Sequence, residues 1–295
     1  MAFPLVSIVT VNYRAPEVTC ELLDSLRTLT YPQVEVWVVD NGAEEDVSAL
    51  FEQHYPGVNI LVSSDNLGFA GGNNWAMRQA AGAFVLLVNN DTIVPPGLLE
   101  PMVETLMNHP EAGIVSPKLY YFDAPNTLQY AGTVTLDLYT GRGKYEARYQ
   151  QDHGQFDTPC ETDFAHGACM MIRRELMQAI GLLPEDYFMY YEELDYCLRA
   201  RRAGWRIRYT PSTYLHHKES MAMGKASPLK TYYMFRNRWL LVKRYGNWQQ
   251  RLVFMLYFLG FGWPLGIMRH VWKREWQHAR AVWRALTWHL GLGKG

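Results

Sequence analysis

Leu5-Val-Ser-Ile-Val-Thr-Val-Asn12 decides the reading of the fold. The run is mostly apolar and β-branched, with little of the polar alternation that a half-exposed strand would show. It therefore suits a strand of a parallel sheet, buried on both faces. Pro16 then opens an amphipathic helix carrying Val18, Leu22, Leu23, Leu26 and Leu29, with proline at a tolerated first-turn position. Residues 34–39 form a second buried strand, stopped by Asp40-Asn-Gly42. Residues 44–55 read as helix, 58–62 as a third strand, 69–81 as helix, and 84–88 as a fourth strand that ends in Asn89-Asn90-Asp91. Strand–helix alternation with short loops predicts an α/β fold: a mostly parallel central sheet with helices on both faces. After Pro110 the alternation breaks down. Residues 118–160 mix short β-like stretches with Gly, Pro and Asp, as an irregular insert would. Regular structure resumes at 169–173, in a helix over 192–203 closed by Gly204, and in a strand near 206–209.

Polar residues gather where the strands end: Asn12 after the first, Asp40 after the second, Asn66 and Gly68 after the third, Asn89 to Asp91 after the fourth. One such terminus is ordinary turn chemistry. Four opening on the same edge are better explained by a shared ligand pocket, because open α/β sheets bind ligands beyond the carboxyl ends of their strands. The segment Asp65-Asn-Leu-Gly-Phe-Ala-Gly-Gly-Asn-Asn74 lets backbone approach a phosphate or ribose, and it leads into a helix N-terminus that favours anions. Its glycine spacing is not the dinucleotide fingerprint. A packed turn explains the segment equally well. Asp91, at the sheet edge, is placed to bind Mg²⁺ or Mn²⁺ that itself holds a diphosphate. Its plainer reading is an Asx turn or helix cap.

The 295 residues are 48% hydrophobic and 19% charged, which fits a globular protein and excludes a disordered one. The net charge of −1 hides a split. After Pro228 there are 12 Lys and Arg against a single acid, Glu275; before it there are 16 against 28. An acidic body suits a divalent cation, and a basic tail seeks anions. Four cysteines, Cys20, Cys160, Cys169 and Cys197, form no C-x-x-C pair and read as reduced thiols. Residues 5–11 are too short and too poorly flanked for a signal peptide, so the expected location is the cytoplasm.

Taken together, Val6-Ser-Ile-Val-Thr-Val-Asn-Tyr13, Val38-Val-Asp-Asn-Gly42, Asn66-Leu-Gly-Phe-Ala-Gly-Gly-Asn-Asn74 and Leu87-Val-Asn-Asn-Asp-Thr92 resemble glycosyltransferase family 2. The order continues with His166-Gly-Ala168, Arg173-Arg174, Phe188-Met-Tyr-Tyr-Glu-Glu-Leu-Asp-Tyr-Cys-Leu-Arg199 and Pro211 to His217. The resemblance spans roughly residues 4–245 and is strongest to bacterial rhamnosyltransferase-type members. It implies a GT-A fold over residues 1–227, with a nucleotide-sugar half to about 110, an acceptor half over 111–227, and a helical extension over 228–295. It also implies a nucleotide-diphosphate-sugar donor, a divalent metal (Mn or Mg), and inversion at the anomeric carbon.

Carried over by position, Asp40 contacts the nucleobase, with Thr10, Asn12, Tyr13 and Asn66 nearby. Gly68, Asn73, Asn90 and Asp91 complete the donor side. Asn89-Asn90-Asp91 matches the D-x-D metal motif with Asn in first place, so Asp91 supplies the carboxylate. His217 stands where the family keeps a metal-holding histidine, and His216 competes because neighbours on a strand face opposite ways. His166, Gly167 and Ala168 fall on the acceptor side. Glu192 and Glu193 match the family's Glu-Asp pair, whose second member is the general base. Glu193 takes that role, with Glu192 as its competitor. In a first helical turn the dipole is expected to keep such carboxylates ionised, though a plain capping pair fits the same positions. Asp195 and Arg199, four apart, are expected to form a supporting ion pair. The donor sugar that the resemblance favours is L-rhamnose from its deoxythymidine diphosphate. The acceptor is then a hydroxyl of a cell-surface glycan or a lipid-linked carrier.

Residues 252–268 are 17 without charge, between Arg251 and Arg269. That is the lower limit of a membrane span. Gly260, Gly262, Pro264 and Gly266 favour a hairpin or interfacial segment over one helix. A helix carrying Trp272, Trp276, Ala279, Trp283, Leu286 and Leu290 on one face follows, flanked by Arg269, Lys273, Arg280 and Arg284. This pattern predicts an interfacial helix on anionic lipid, at the inner face of the cell membrane. A surface between twin subunits is the alternative. No nucleic-acid module accompanies the tail. Two rival functions remain on the residues alone: a non-catalytic nucleotide- or glycan-binding protein on the same fold, and a nucleotidyltransferase, against which stands the lack of a Gly-rich loop followed by Lys.

Overall fold

In the computed structural model, which describes residues 3–219 and 227–291, the apolar runs become the middle of one large sheet. In chain order the elements begin β1 (Val6–Asn12), α1 (Pro16–Leu26), β2 (Val34–Asn41), α2 (Ser48–His54), β3 (Asn59–Ser63), α3 (Gly68–Gln79) and β4 (Phe84–Val88). They continue β5 (Thr92–Ile93), α4 (Leu99–Asn108), β6 (Ala112–Tyr121), β7 (Ala124–Tyr130), β8 (Val134–Asp137), β9 (Arg142–Tyr145), β10 (Cys160–Glu161), β11 (Cys169–Arg173) and α5 (Arg174–Ile180). Last come α6 (Glu192–Arg202), β12 (Arg206–His217), α7 (Pro228–Tyr245), α8 (Trp248–Tyr257), α9 (Trp263–Trp272) and α10 (Trp276–His289). The sheet order is β10-β12-β6-β11-β4-β1-β2-β3, with β5 beside β12 and β7 beside β6. The N-terminal part of the sheet is parallel, β4-β1-β2-β3. Antiparallel β11 joins it to the parallel pair β6 and β12.

The chain divides into two compact units. The first comprises Met1–Val134, Tyr145–Phe188 and Glu192–Ala222. Its core is the sheet's own apolar side chains. Val6, Ile8, Val9, Val38, Leu86 and Leu87 are fully buried, as expected of strands covered on both faces. The second unit comprises Thr135–Lys144, Met189–Tyr191 and Met223–Gly295. Its centre is Trp239, Val242, Phe254 and Phe258, with Leu138, Phe235, Trp263 and Leu286 packed around them.

Three expectations need correction. The strand expected near residues 206–209 runs on to His217, because a bulge between Thr210 and Tyr214 absorbs Pro211 and lets the strand pair again with β6. The charge-free stretch is not a hairpin. Trp248–Trp272 is one helical run of 25 residues, with Phe258–Gly262 as a π-helical turn inside it. Pro264 comes just after the π-helical turn, in the first turn of α9, where the hydrogen-bonding pattern changes register, so it does not end the run. The last tryptophan helix is in fact two pieces. Trp272 closes α9 and Trp276 opens α10, and between them Arg274 adopts φ +59°.

Candidate active site

Each strand of the parallel half delivers a polar group to the same edge, and the structure joins them by hydrogen bonds. Asn90 Nδ2 donates to Thr19 Oγ1 at 3.0 Å, Thr19 Oγ1 donates to Asn12 Oδ1 at 2.8 Å, and Asn12 Nδ2 donates to Asp40 Oδ1 at 2.8 Å. This chain links the end of β4 to the end of β2 through α1 and β1, and all four side chains are buried. Asp40 keeps its other oxygen, Oδ2, buried with no hydrogen-bond partner among the described residues. Burial raises its pKa above the usual carboxylate value, and the Asn12 hydrogen bond acts against that. A buried acceptor of this kind is costly unless something donates to it. Thr10 Oγ1 is a second buried oxygen without a partner among the described residues.

The loop after β3 is held by Asn41. Its Nδ2 donates to Asn66 Oδ1 at 3.0 Å, and its Oδ1 accepts from Leu67 N at 2.7 Å. Asn66 Oδ1 also accepts from Gly68 N. Gly68 has φ +72°, and a Cβ there would lie 2.5 Å from the Phe188 carbonyl oxygen, so only glycine fits. Tyr13 lies along Gly42, with its Cε2 3.1 Å from where a Cβ would stand. Asn73 turns inward and donates to Phe69 O at 2.9 Å, one helical turn back.

Across the edge from β4, His217 at the end of β12 meets Asp91. Nε2 lies 3.0 Å from Asp91 Oδ1, and Nδ1 lies 2.8 Å from Gln129 Oε1. Both residues are buried. The strand alternation separates the two histidines: His217 turns to Asp91, whereas His216 stacks on Tyr120 at 5.7 Å between ring centres. Asn89 Nδ2 is 3.5 Å from His217 Nε2, and Asn89 Oδ1 is buried without a partner among the described residues. Among the described residues no group of three or more His, Cys, Asp or Glu is placed to hold a metal ion. The protein thus presents a half-site, one carboxylate and one imidazole with the Asn89 amide beside them. That donor set suits Mn²⁺ or Mg²⁺ when phosphate oxygens of a ligand complete the shell.

His166 follows β10 and packs 6.1 Å from the His217 ring. Burial, then the neighbouring His217 and Arg148, push its pKa down to about 3, so the ring is neutral at physiological pH. Its Nδ1 accepts from Ala168 N, and Ala168 O accepts from Asn89 N, which ties this turn to the Asn89–Asp91 motif. A Cβ on Gly167 would stand 3.4 Å from Glu193 Cγ. The turn therefore lies directly over the first turn of α6.

Glu192 and Glu193 open α6 as expected, but they are not alike. Glu192 is buried, and its Oε2 has no partner among the described residues. Burial and the Glu193 carboxylate beside it raise its pKa well above the ordinary range. The expectation that the helix dipole keeps it ionised is corrected here: dipole stabilisation of about 0.3–1 kcal/mol is small against full desolvation. Glu193 is half-exposed and faces Gly167. Asp195 and Arg199 form the anticipated pair at 3.0 Å, and Arg199 also donates to the carbonyls of Ile180 and Leu182. Sequence reasoning passed over Thr19, Asn41 and Gln129. Thr19 left a trace, a polar residue on the apolar face of α1. Gln129 left none, because its partner is 88 residues away.

The sequence profile of glycosyl transferase family 2 matches residues 7–181, more than half of the chain. The chain belongs to glycosyl transferase family 2. This family 2 chain is 27% identical over 269 residues to an N-acetylglucosaminyl-diphospho-decaprenol L-rhamnosyltransferase of Mycobacterium tuberculosis, covering 83% of this chain and 87% of that protein. It is 29% identical over 262 residues to the O-antigen biosynthesis protein RfbC of Myxococcus xanthus. That match covers 83% of this chain but only 19% of the relative. An uncharacterized protein of Sinorhizobium fredii, 32% identical over 75% of this chain, is likewise spanned for only a quarter of its length. Among solved structures, S. aureus TarS 1-349 in complex with UDP-GlcNAc superposes with a TM-score of 0.60 at 18% identity, over 96% of this chain and 81% of that one. The mannosyltransferase PcManGT of Pyrobaculum calidifontis, in complex with GDP-Man and Mn²⁺, gives 0.57 at 16% identity, over 100% and 77%. At such identities these likenesses bear on the fold alone, and the fold is GT-A.

Proposed function

We propose that this family 2 chain is an inverting glycosyltransferase that moves a sugar from a nucleotide-diphosphate donor to an acceptor hydroxyl in a single displacement. The observation that carries the reading is the joining of three elements on one sheet edge: the Asn90–Thr19–Asn12–Asp40 chain, the Asp91–His217 pair, and Glu193 beneath Gly167. Asp40 Oδ2 accepts an N–H of the nucleobase, which an imide such as thymine or uracil supplies. The Asn66–Gly68 turn, braced by Asn41, lies along the nucleotide. Asp91 and His217 would hold a divalent cation, with Gln129 fixing the imidazole from behind. When bound, that cation neutralises charge on the departing diphosphate as a Lewis acid. Glu193 takes the proton of the acceptor hydroxyl as its oxygen attacks the anomeric carbon. Burial shifts Glu192 toward its protonated form, which lessens the negative charge beside the base. Neutral His166, with Gly167 and Ala168, shapes the acceptor side.

Replacing Asp40 by Asn removes the charged acceptor while keeping its size. The variant should bind nucleoside diphosphate roughly tenfold more weakly or worse, the scale of one hydrogen bond to a charged group. Calorimetric titration of the folded variant checks this, and unchanged affinity removes Asp40 from the nucleotide site.

Resemblance to a rhamnosyltransferase at 27% identity favours L-rhamnose as the sugar, with deoxythymidine diphosphate as carrier. That relative's name specifies an acceptor on a lipid diphosphate, and the tail of the present chain suits such an acceptor. Along Trp248–Trp272, Leu252, Leu256, Leu259, Phe261, Leu265 and Met268 are all exposed, and Trp272 is 87% exposed. The run is long and apolar enough to cross a membrane by length and composition, and only 11% of its most apolar window is buried. Arg251, Arg269, Lys273, Arg280 and Arg284 are exposed around this surface. Apolar contact with cationic flanks is the chemistry of an anionic membrane surface, where each Lys or Arg adds on the order of 1 kcal/mol. The full chain is expected to co-sediment with anionic vesicles, and less so as salt rises. Cutting the chain at Arg251 is a poor control, since it removes Phe254 and Phe258 from the second unit's core. Leu256→Glu with Leu265→Glu leaves that core intact and should release the protein. If the full chain ignores vesicles at low salt and the double variant instead breaks a dimer, the surface joins two copies.

A further inference from the structure

Tyr149 holds a backbone that a bulky side chain adopts only under constraint. Its φ is +67°, a left-handed value that costs on the order of 1–3 kcal/mol. Two bonds to β7 enforce it: Tyr149 N donates to Leu128 O at 2.8 Å, and Leu128 N donates to Gln150 O at 2.8 Å. The strained residue fills no core. It is 67% exposed, and its ring stacks parallel to that of Tyr121 with 5.3 Å between centres. What the pair holds is Arg148. The guanidinium lies 4.9 Å from the centre of the Tyr149 ring, and Nε donates to the Tyr121 hydroxyl at 3.1 Å. Nη2 donates to Glu219 Oε1 at 3.4 Å, well beyond the roughly 2.7–2.9 Å of a strong charge-assisted bond. The side chain of Arg148 stays 39% exposed. All of these residues belong to the first unit.

Strand register places this group. His217 pairs with Thr92 on one side and with Tyr121 on the other. Tyr120 stacks on His216 on the opposite face, so Tyr121 shares the face of His217. Arg148 therefore stands across His217 from the Asp91–Thr92 corner, on the β6 side of the sheet rather than the β1–β3 side. It is also close enough to His166 to disfavour protonation of that ring. Asp40, Asp91, Glu192 and Glu193 make the same edge acidic, and against that background a fixed, exposed guanidinium is where an anion would go.

We propose that Arg148 is the acceptor-side anion contact, taking a phosphate or diphosphate group that the acceptor carries. This deepens the transferase reading and rests on it. A guanidinium offers phosphate a planar fork of donors, and the Tyr121 hydroxyl and Tyr149 ring fix the plane of that fork. Glu219, at its long distance, is the partner that an arriving phosphate displaces.

The probe is inorganic pyrophosphate, titrated calorimetrically into the full chain in the presence of chelator, with nucleotide-sugar affinity measured alongside in Mn²⁺. Arg148→Gln is expected to weaken pyrophosphate binding about tenfold or more, the scale of one hydrogen bond to a charged group. Arg148→Lys keeps the charge without the fork and should fall between parent and Arg148→Gln. Tyr121→Phe keeps the ring but releases Nε, and should weaken pyrophosphate several-fold. Nucleotide-sugar affinity should stay within about threefold in all three variants. Pyrophosphate binding untouched by Arg148→Gln, or none at millimolar concentration, overturns the proposal. So does a fall of donor affinity in step with that of pyrophosphate, which would give Arg148 to the donor's diphosphate. Weaker sedimentation of Arg148→Gln with anionic vesicles, at unchanged pyrophosphate affinity, would make it a headgroup contact and overturn the proposal equally. The two readings fail separately: if pyrophosphate binds through Arg148 while no nucleotide sugar binds, the anion site stands and the transferase reading falls.

Discussion

Glu193→Gln is expected to lower turnover by about 10²–10⁴-fold, the usual contribution of a general base, while nucleotide-sugar affinity stays within a few-fold. The substitution keeps the volume and the first turn of α6 and removes only the proton acceptor. The structure sharpens this expectation beyond the motif. Of the two adjacent glutamates, Glu192 is buried, which disfavours its ionised form and keeps it from an incoming hydroxyl. Glu193 is the one that stands against Gly167 and can be reached. Steady-state kinetics on both variants settle the assignment. Retained turnover in Glu193→Gln together with its loss in Glu192→Gln would move the base one residue back.

Asp91→Asn should have a comparable effect by a different route. Asp91 is the only acid in Asn89-Asn90-Asp91, and its Oδ1 faces His217 Nε2 at 3.0 Å. Loss of an outer-shell partner typically costs 10–100-fold in metal affinity, so loss of the one carboxylate that would hold the cation should cost about 10²-fold or more. Metal-dependent binding of donor is expected to vanish, and the fold to remain, since asparagine can still pair with His217. A chelator added to the parent protein should reproduce the defect. Activity that survives chelation would leave Asp91 and His217 as a structural pair and remove the metal from the account.

Much of the sheet was legible because strands buried on both faces announce themselves. Residues 84–88 and 169–173 came out with the boundaries the structure shows, and the edge on which Asn12, Asp40, Asn66 and Asp91 collect followed from strand order. What escaped had a common cause: it depends on partners distant in sequence. Gln129 and Thr19 matter only because β7 and α1 bring them to His217 and Asn12. The continuation of β12 past Pro211 needed β6 to pair with it again after the bulge. Glycine and proline in residues 260–266 read as helix breakers in the sequence. Their cost depends on position within a turn, and in Trp248–Trp272 they fall at a π turn and a helix start. Glu192 shows the same limit in electrostatics: the helix start was readable, whereas the burial that overrides it was not.

The central claim is that the edge built by Asp40, Asp91, His217 and Glu193 takes a nucleotide-diphosphate sugar. It is tested most directly by titrating the full chain with a panel of such donors, deoxythymidine diphosphate rhamnose among them, with Mn²⁺ and with chelator. The account predicts that at least one donor binds and raises the melting temperature only when the cation is present, and that Asp91→Asn abolishes this response. Failure of every donor to bind, with and without Mn²⁺, in a protein that is folded would contradict it.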